Sequence, residues 1–141
     1  MSVFIIAEAG VNHNGDFELA KKLIDEAKKI GADAIKFQTF KANNLVTKNA
    51  SSTDYQKAQN YSNQFKMLSE LELTYNEFKQ LKEYAEKIGI IFMSTAFDQD
   101  SVDFLKNIGV YIWKIPSGEI TNLPYLRSIA SFAKDVIIST G

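Results

Sequence analysis

Cysteine is absent from all 141 residues, which excludes both a disulfide framework and a thiolate metal site. Histidine occurs once, at His13. A metal site needs several convergent ligands, so a lone histidine reads first as a hydrogen-bonding loop residue. Neither sign of charge dominates: 16 Lys and Arg stand against 17 Asp and Glu, for a net charge of -1. That leaves no general field for nucleic acid or an anionic membrane. No stretch approaches the roughly 20 apolar residues of a membrane span. The short apolar run in MSVFIIAEAG lacks a basic flank and meets Glu8 too early for a signal peptide, so a cytoplasmic location is expected. No G-x-G-x-x-G or Walker sequence is present, which argues against a nucleotide. What is there is a 45% hydrophobic content, enough for the core of one domain.

One pattern recurs. KKIGADAIKFQ, EKIGIIFMST and KNIGVYIWKI each read as a helix end, a glycine and an apolar strand. Ala20, Leu23, Ile24, Ala27 and Ile30 form one helical stripe, and Phe78, Leu81, Ala85 and Ile88 another. Thr74 and Glu77 have capping-box spacing, Asp16 and Asp98 suit N-caps, and Pro124 suits the first turn of a last helix after Thr121 or Asn122. The spacing predicts strands at 3–8, 33–38, 90–95, 110–115 and 135–139, with helices at 16–30, 75–88, 98–108 and 122–133. Strict alternation implies parallel strands and right-handed crossovers, in either a small doubly wound sheet or the first part of an eight-stranded barrel. Residues 39–74 interrupt the rhythm as a long polar loop, with a helical turn near Gln64–Leu71. Its aromatic residues Tyr55, Tyr61 and Phe65 suit either lid residues or loop anchors.

Side chains alternate across a strand, and the alternation sorts the polar residues. Glu8, Lys36 and Gln38, Thr95, Lys114 and Ser139 each fall near the C-terminal end of one face, with Ser117 and Glu119 just beyond. Ile5, Ile35, Phe37, Phe92, Trp113 and Ile138 fall on the other face, under the helices. Parallel α/β folds bind ligands at the carboxyl ends of their strands. Two inward lysines, Lys36 and Lys114, repel each other unless an anion lies between them, and Thr95, Ser117 and Ser139 add hydroxyl donors. Gly118 and Gly141 would let backbone amides approach closely. The set suits an anion with more than one acidic group. The competing structural reading pairs Lys36 with Glu8 and Lys114 with Glu119 as plain ion pairs.

Taken together, IAEAGVNHNG, AIKFQTF, STAFD, KIPSGEITNLPYL and IISTG resemble, in order and spacing, the motifs of the sialic acid synthase (N-acetylneuraminate synthase) family. The resemblance implies a (βα)8 TIM barrel that condenses phosphoenolpyruvate with an N-acetylated hexose, N-acetylmannosamine or a diacetamido relative, and releases phosphate. By motif, Lys36, Thr95, Lys114, Ser117 and Ser139 would contact phosphoenolpyruvate, Gln38 would reach the sugar, and Glu8 and Glu119 would face the reacting centre. The family implies a divalent manganese or magnesium ion, with histidine ligands outside this chain, and a homodimer. Its members are more than twice as long. The resemblance therefore implies that residues 1–141 are the N-terminal part of the barrel domain, about five βα strands, without synthase activity of their own. With eight strands needed for closure, Phe4, Ile6, Ile91, Met93, Ile112 and Ile137 are expected as an uncovered inner face that favours self-association. The alternatives are a non-catalytic binding fragment and a small α/β phosphate-binding module.

Overall fold

In the computed structural model, which describes residues 3–46 and 64–141, five strands alternate with helices and every hydrogen-bonded strand pair is parallel. The order is β1 (Ile6–Gly10), α1 (Phe17–Lys29), β2 (Ala34–Thr39), α2 (Ala42–Leu45), α3 (Gln64–Leu71), α4 (Tyr75–Ile88), β3 (Ile91–Ala96), α5 (Gln99–Asn107), β4 (Ile112–Ile115), a 3-10 turn (Ser117–Glu119), α6 (Leu123–Ala130) and β5 (Asp135–Ile138). Hydrogen bonding divides the strands into a three-stranded sheet, β1-β2-β3, and a two-stranded sheet, β4-β5.

The helices begin where their caps dictate. Asp16 accepts from the Leu19 amide, Asp98 from that of Ser101, and Asn122 from that of Tyr125, with Pro124 in the first turn of α6. Thr74 and Glu77 close a full capping box on α4. Gly31, Gly89 and Gly109 take positive φ after their helices, which frees the chain to turn into the next strand.

The core lies between the sheet and the helices. Phe37 on β2 stacks on Phe92 at 5.6 Å between centroids and meets Phe78 of α4 edge-on at 6.4 Å. Ile24, Leu81, Leu105, Trp113 and Ile129 complete it from four helices and β4. Among buried polar side chains, the hydroxyls of Thr39 and Ser94 satisfy each other at 2.7 Å on this face.

Several boundaries depart from the sequence reading. β1 spans Ile6–Gly10 rather than 3–8, because Asp33 holds Ile5 from both sides: its carboxylate accepts the Ile5 amide and its own amide donates to the Ile5 carbonyl. The strand extends at its other end through an irregularity between Glu8 and Gly10, where one extra residue bulges out. β4 starts at Ile112 rather than 110, and α6 ends at Ala130 rather than 133. The described residues of the 39–74 segment include helices α2 and α3; Phe65 lies in α3, while Tyr55 and Tyr61 lie outside the described residues. Ile30 caps α1 and turns to solvent, 75% exposed, instead of joining the buried stripe.

Burial also differs from the parity expectation at the sheet edges. Ile5 and Ile138 are about half exposed rather than packed under helices: Ile5 precedes β1 and Ile138 ends β5, each of which is bonded to a neighbour on one side among the described residues. Met93, expected on an uncovered face, is fully buried because β3 is bonded to β2 on one side and has β4 packed on the other, whereas Phe4 and Ile137 are exposed.

The loop after β1 is a run of tight turns: the Asn12 amide donates to Ala9, that of Asn14 to Val11, and that of Asp16 to His13. Gly15 ends the run at φ 74°, and its Cα lies against the backbone of α3, where a Cβ would sit 2.2 Å from the Glu70 carbonyl oxygen. The β1 loop is thus a floor on which α3 rests.

Candidate functional site

Strand register brings the sequence-selected residues to one end of the sheet. Glu8 lies opposite Lys36 across β1 and β2, and Gln38 opposite Thr95 across β2 and β3. Lys114 lies on β4 opposite Ile137, and the Ser139 amide donates to the Ile115 carbonyl just past the end of β5. The bulge in β1 leaves Gly10, at φ 54°, beside both acidic and amide groups: a Cβ there would meet Glu8 Oε1 at 3.3 Å and Gln38 Nε2 at 3.6 Å. Glycine at this position keeps Glu8 and Gln38 side by side. The other side of the site closes similarly, with Gly141 packed towards the Ser117 side chain. Gly118, expected to admit close backbone approach, has open space around it.

The two lysines are not equivalent. Lys36 pairs with the Glu8 carboxylate at 2.5 Å, so this half of the ion-pair reading holds. Lys114 does not pair with Glu119; among the described residues its ammonium donates to the Ile115 carbonyl at 2.6 Å. Burial draws the Lys114 pKa below the ordinary lysine value, the Lys36 charge adds to that, and Glu8 opposes it. Lys114 is therefore a partly desolvated cation facing a second cation, with one carboxylate for two ammonium groups. Such an arrangement binds an added anion well, since the anion supplies the missing counter-charge.

Around these charges lie hydroxyls of different exposure. Thr95 is almost fully buried, Ser139 is partly buried and Ser117 is exposed. Glu119 ends the 3-10 turn, where Pro116 supplies the extended entry, and its carboxylate accepts from Asn122 Nδ2 at 2.6 Å. Sequence reasoning singled out Asn122 as a cap but missed this second bond, and it missed the Tyr125 hydroxyl, which donates to the Ala96 carbonyl at 2.8 Å. The T-N-x-P spacing signals the cap; nothing local signals where a tyrosine hydroxyl lands.

His13 is fully buried against Phe37, with Nδ1 accepting the Gly15 amide at 3.1 Å and Nε2 without a partner among the described residues. Desolvation lowers its pKa, against the opposing charges of Glu77 and Asp16. It is the loop hydrogen-bonder that the sequence suggested. Among the described residues no three His, Asp or Glu side chains converge as a metal site would require. These residues do not by themselves fit the divalent ion that the resemblance implies.

The larger cavities lie elsewhere. One of about 510 Å³ opens beside Trp113 and Phe132, at the N-terminal ends of β4 and β5, where apolar side chains and two lysines line it. Tyr111 and Asp135 complete its polar lining, and none of the site residues selected from the sequence borders it. Among the described residues no helix is long and apolar enough to cross a membrane.

Comparison with known proteins identifies the family. A family model described as the NeuB family matches residues 23–141. The chain is 57% identical to an N,N'-diacetyllegionaminic acid synthase of Legionella pneumophila, covering all of this chain and 40% of that protein. It is 53% identical to the synthase of the same name from Campylobacter jejuni, covering 97% of this chain and 42% of that protein. Among solved structures, the N-acetylneuraminic acid (sialic acid) synthetase of Leptospira borgpetersenii in complex with citrate superposes with a TM-score of 0.82 at 39% identity, over all of this chain and 45% of that one. The chain thus spans about two fifths of the length of the curated relatives it matches.

Proposed function

The chain belongs to the NeuB family, and from that premise we propose that it forms the phosphoenolpyruvate-binding part of a sialic acid-type synthase. In this reading phosphoenolpyruvate condenses with an N-acetylated hexose to give a nine-carbon keto-acid sugar. The acceptor is N-acetylmannosamine or a diacetamido relative, and the two legionaminic acid synthases among the relatives favour the diacetamido sugar. Turnover belongs to a protein of the relatives' length; binding of phosphoenolpyruvate belongs to this chain.

The observation that carries the reading is the imbalance at the strand ends: two lysines share one carboxylate, with hydroxyls around them. Phosphoenolpyruvate brings a phosphate and a carboxylate, which Lys36, Lys114, Thr95, Ser117 and Ser139 suit as charge-assisted and neutral donors. Its methylene carbon attacks the sugar aldehyde, forming the new carbon–carbon bond while the aldehyde oxygen takes up a proton. Positive charge grows on the enol carbon. Water adds there, and the resulting adduct expels inorganic phosphate to leave the ketone. Glu119, held by Asn122, and Glu8, held by Lys36, are the carboxylates suited to stabilise that charge or orient the water. Gln38, beside Gly10, is suited to reach the sugar.

Calorimetric titration of the chain with phosphoenolpyruvate tests this. Lys114→Ala should weaken binding by about 2–4 kcal/mol, roughly two to three decades in affinity. Equal affinity in the variant would make Lys114 a structural cation. Inorganic phosphate binding as tightly as phosphoenolpyruvate would favour a simple phosphate-binding module instead.

A further inference from the structure

We infer that Tyr125 is a positioning residue for the reaction proposed above, joining the part of the site on β4 to the part on β3. The inference rests on that functional reading and deepens it. Its starting point is the seam in the sheet. Lys36, Gln38 and Thr95 stand on one hydrogen-bonded sheet; Lys114, the Ser117–Glu119 turn and Ser139 belong to the other. No ladder bond joins β3 to β4 among the described residues, so something else must set the distance between the two groups of ligands.

The backbone shows what does. Residues along a strand present their amide and carbonyl groups to alternate neighbours. The Phe97 amide turns towards β2, where it donates to the Thr39 carbonyl, so the Ala96 carbonyl faces the opposite side, towards β4. There the Tyr125 hydroxyl donates to it at 2.8 Å in a buried bond, taking the place of a ladder amide. Tyr125 itself is 5% exposed. Burial, reinforced by Glu119 and Asp98, holds its phenol well above the ordinary tyrosine pKa, so it remains a neutral donor. Another side-chain bond across the seam, from Gln99 to Ser128, is exposed and joins helices rather than site elements.

The same residue is wired to the acid. The Tyr125 amide donates to Asn122 Oδ1, and Asn122 Nδ2 donates to Glu119. At the other end, Ala96 adjoins Thr95. A continuous path therefore runs from the Glu119 carboxylate through Asn122 and Tyr125 to the residue beside Thr95. Removing the hydroxyl leaves both halves folded but free to shift against each other.

The test is phosphoenolpyruvate titration of the chain, with melting temperature recorded, for the wild type, Tyr125→Phe, Lys114→Ala and Trp113→Phe. Trp113→Phe is the control, since it deletes another buried bond, from the indole to the Val110 carbonyl, away from the site. Tyr125→Phe should weaken binding about five- to tenfold, the yield of one lost buried hydrogen bond, while Trp113→Phe lowers the melting temperature with affinity unchanged. Tyr125→Phe affinity within a factor of about two of wild type, with binding still lost in Lys114→Ala, would overturn the inference and leave the functional reading standing. A wild-type chain that fails to bind, or a Lys114→Ala chain that binds equally well, would overturn both.

Discussion

β3 and β5 are both mostly apolar strands, yet five of the six β3 positions are buried and all four β5 positions are exposed. β3 has β2 bonded on one side, β4 packed on the other, and α4 and α5 over it; β5 is bonded to β4 alone. The same contrast holds for charge. Lys36, in the first sheet, has Glu8; Lys114, in the second, has a backbone carbonyl and a repelling neighbour. Sequence pattern therefore tells which face a residue offers, while its neighbours decide whether that face is covered or its charge answered.

The contrast can be broken most forcefully in the core. Phe37→Ala removes the centre of an aromatic cluster and should cost about 3–5 kcal/mol, whereas Ile138→Ala on β5 should cost under about 1 kcal/mol. Urea unfolding curves with matched slopes would show it, and equal losses would mean that β5 is as well covered as β2. A smaller effect separates the lysines. Lys36→Met strips the half-exposed Glu8 of its partner and should destabilise by about 1 kcal/mol, while Lys114→Met relieves desolvation and repulsion and should raise the melting midpoint even as it abolishes anion binding. A fall in stability for both variants would make Lys114 an integral part of the fold.

The smallest effect is read from pH. The folded Lys114 pKa is depressed, so as pH rises this lysine loses its proton before an ordinary lysine with pKa 10.5 would. Its neutral form attracts an anion less, and phosphoenolpyruvate affinity should decline on the alkaline side, below pH 10.5. The same depression means that the unfolded chain binds the proton more tightly, so stability should rise slightly over that window. Lys114→Arg should move the decline in affinity to higher pH; an unchanged profile would assign it to another group.

The elements were legible because their signals are local. The capping box at Thr74 and Glu77 placed the start of α4 at Tyr75, and helix-end glycines marked three strand entries. The candidate site was legible because parallel strands share a direction, so inward parity at each C-terminal end converges whatever the twist: Glu8, Lys36, Gln38, Thr95 and Lys114 needed only that. What stayed hidden depends on distant pairing. The bulge that carries β1 on to Gly10 and the Tyr125 bond to Ala96 each rest on residues far apart in sequence. The seam between β3 and β4 likewise leaves no mark in either strand's composition.

The Gly15 contact with α3 has a consequence for reading mutational scans of this chain. The position combines positive φ with a backbone oxygen 2.2 Å from where any Cβ would stand, so every substitution displaces either the β1 loop or α3. Selection for phosphoenolpyruvate binding should return glycine there with the same intolerance as at Lys114, and a binding score alone would rank the two together. Scoring the same library for abundance should part them: Gly15 variants would vanish from both screens, while Lys114 variants would persist as well-folded protein that no longer binds.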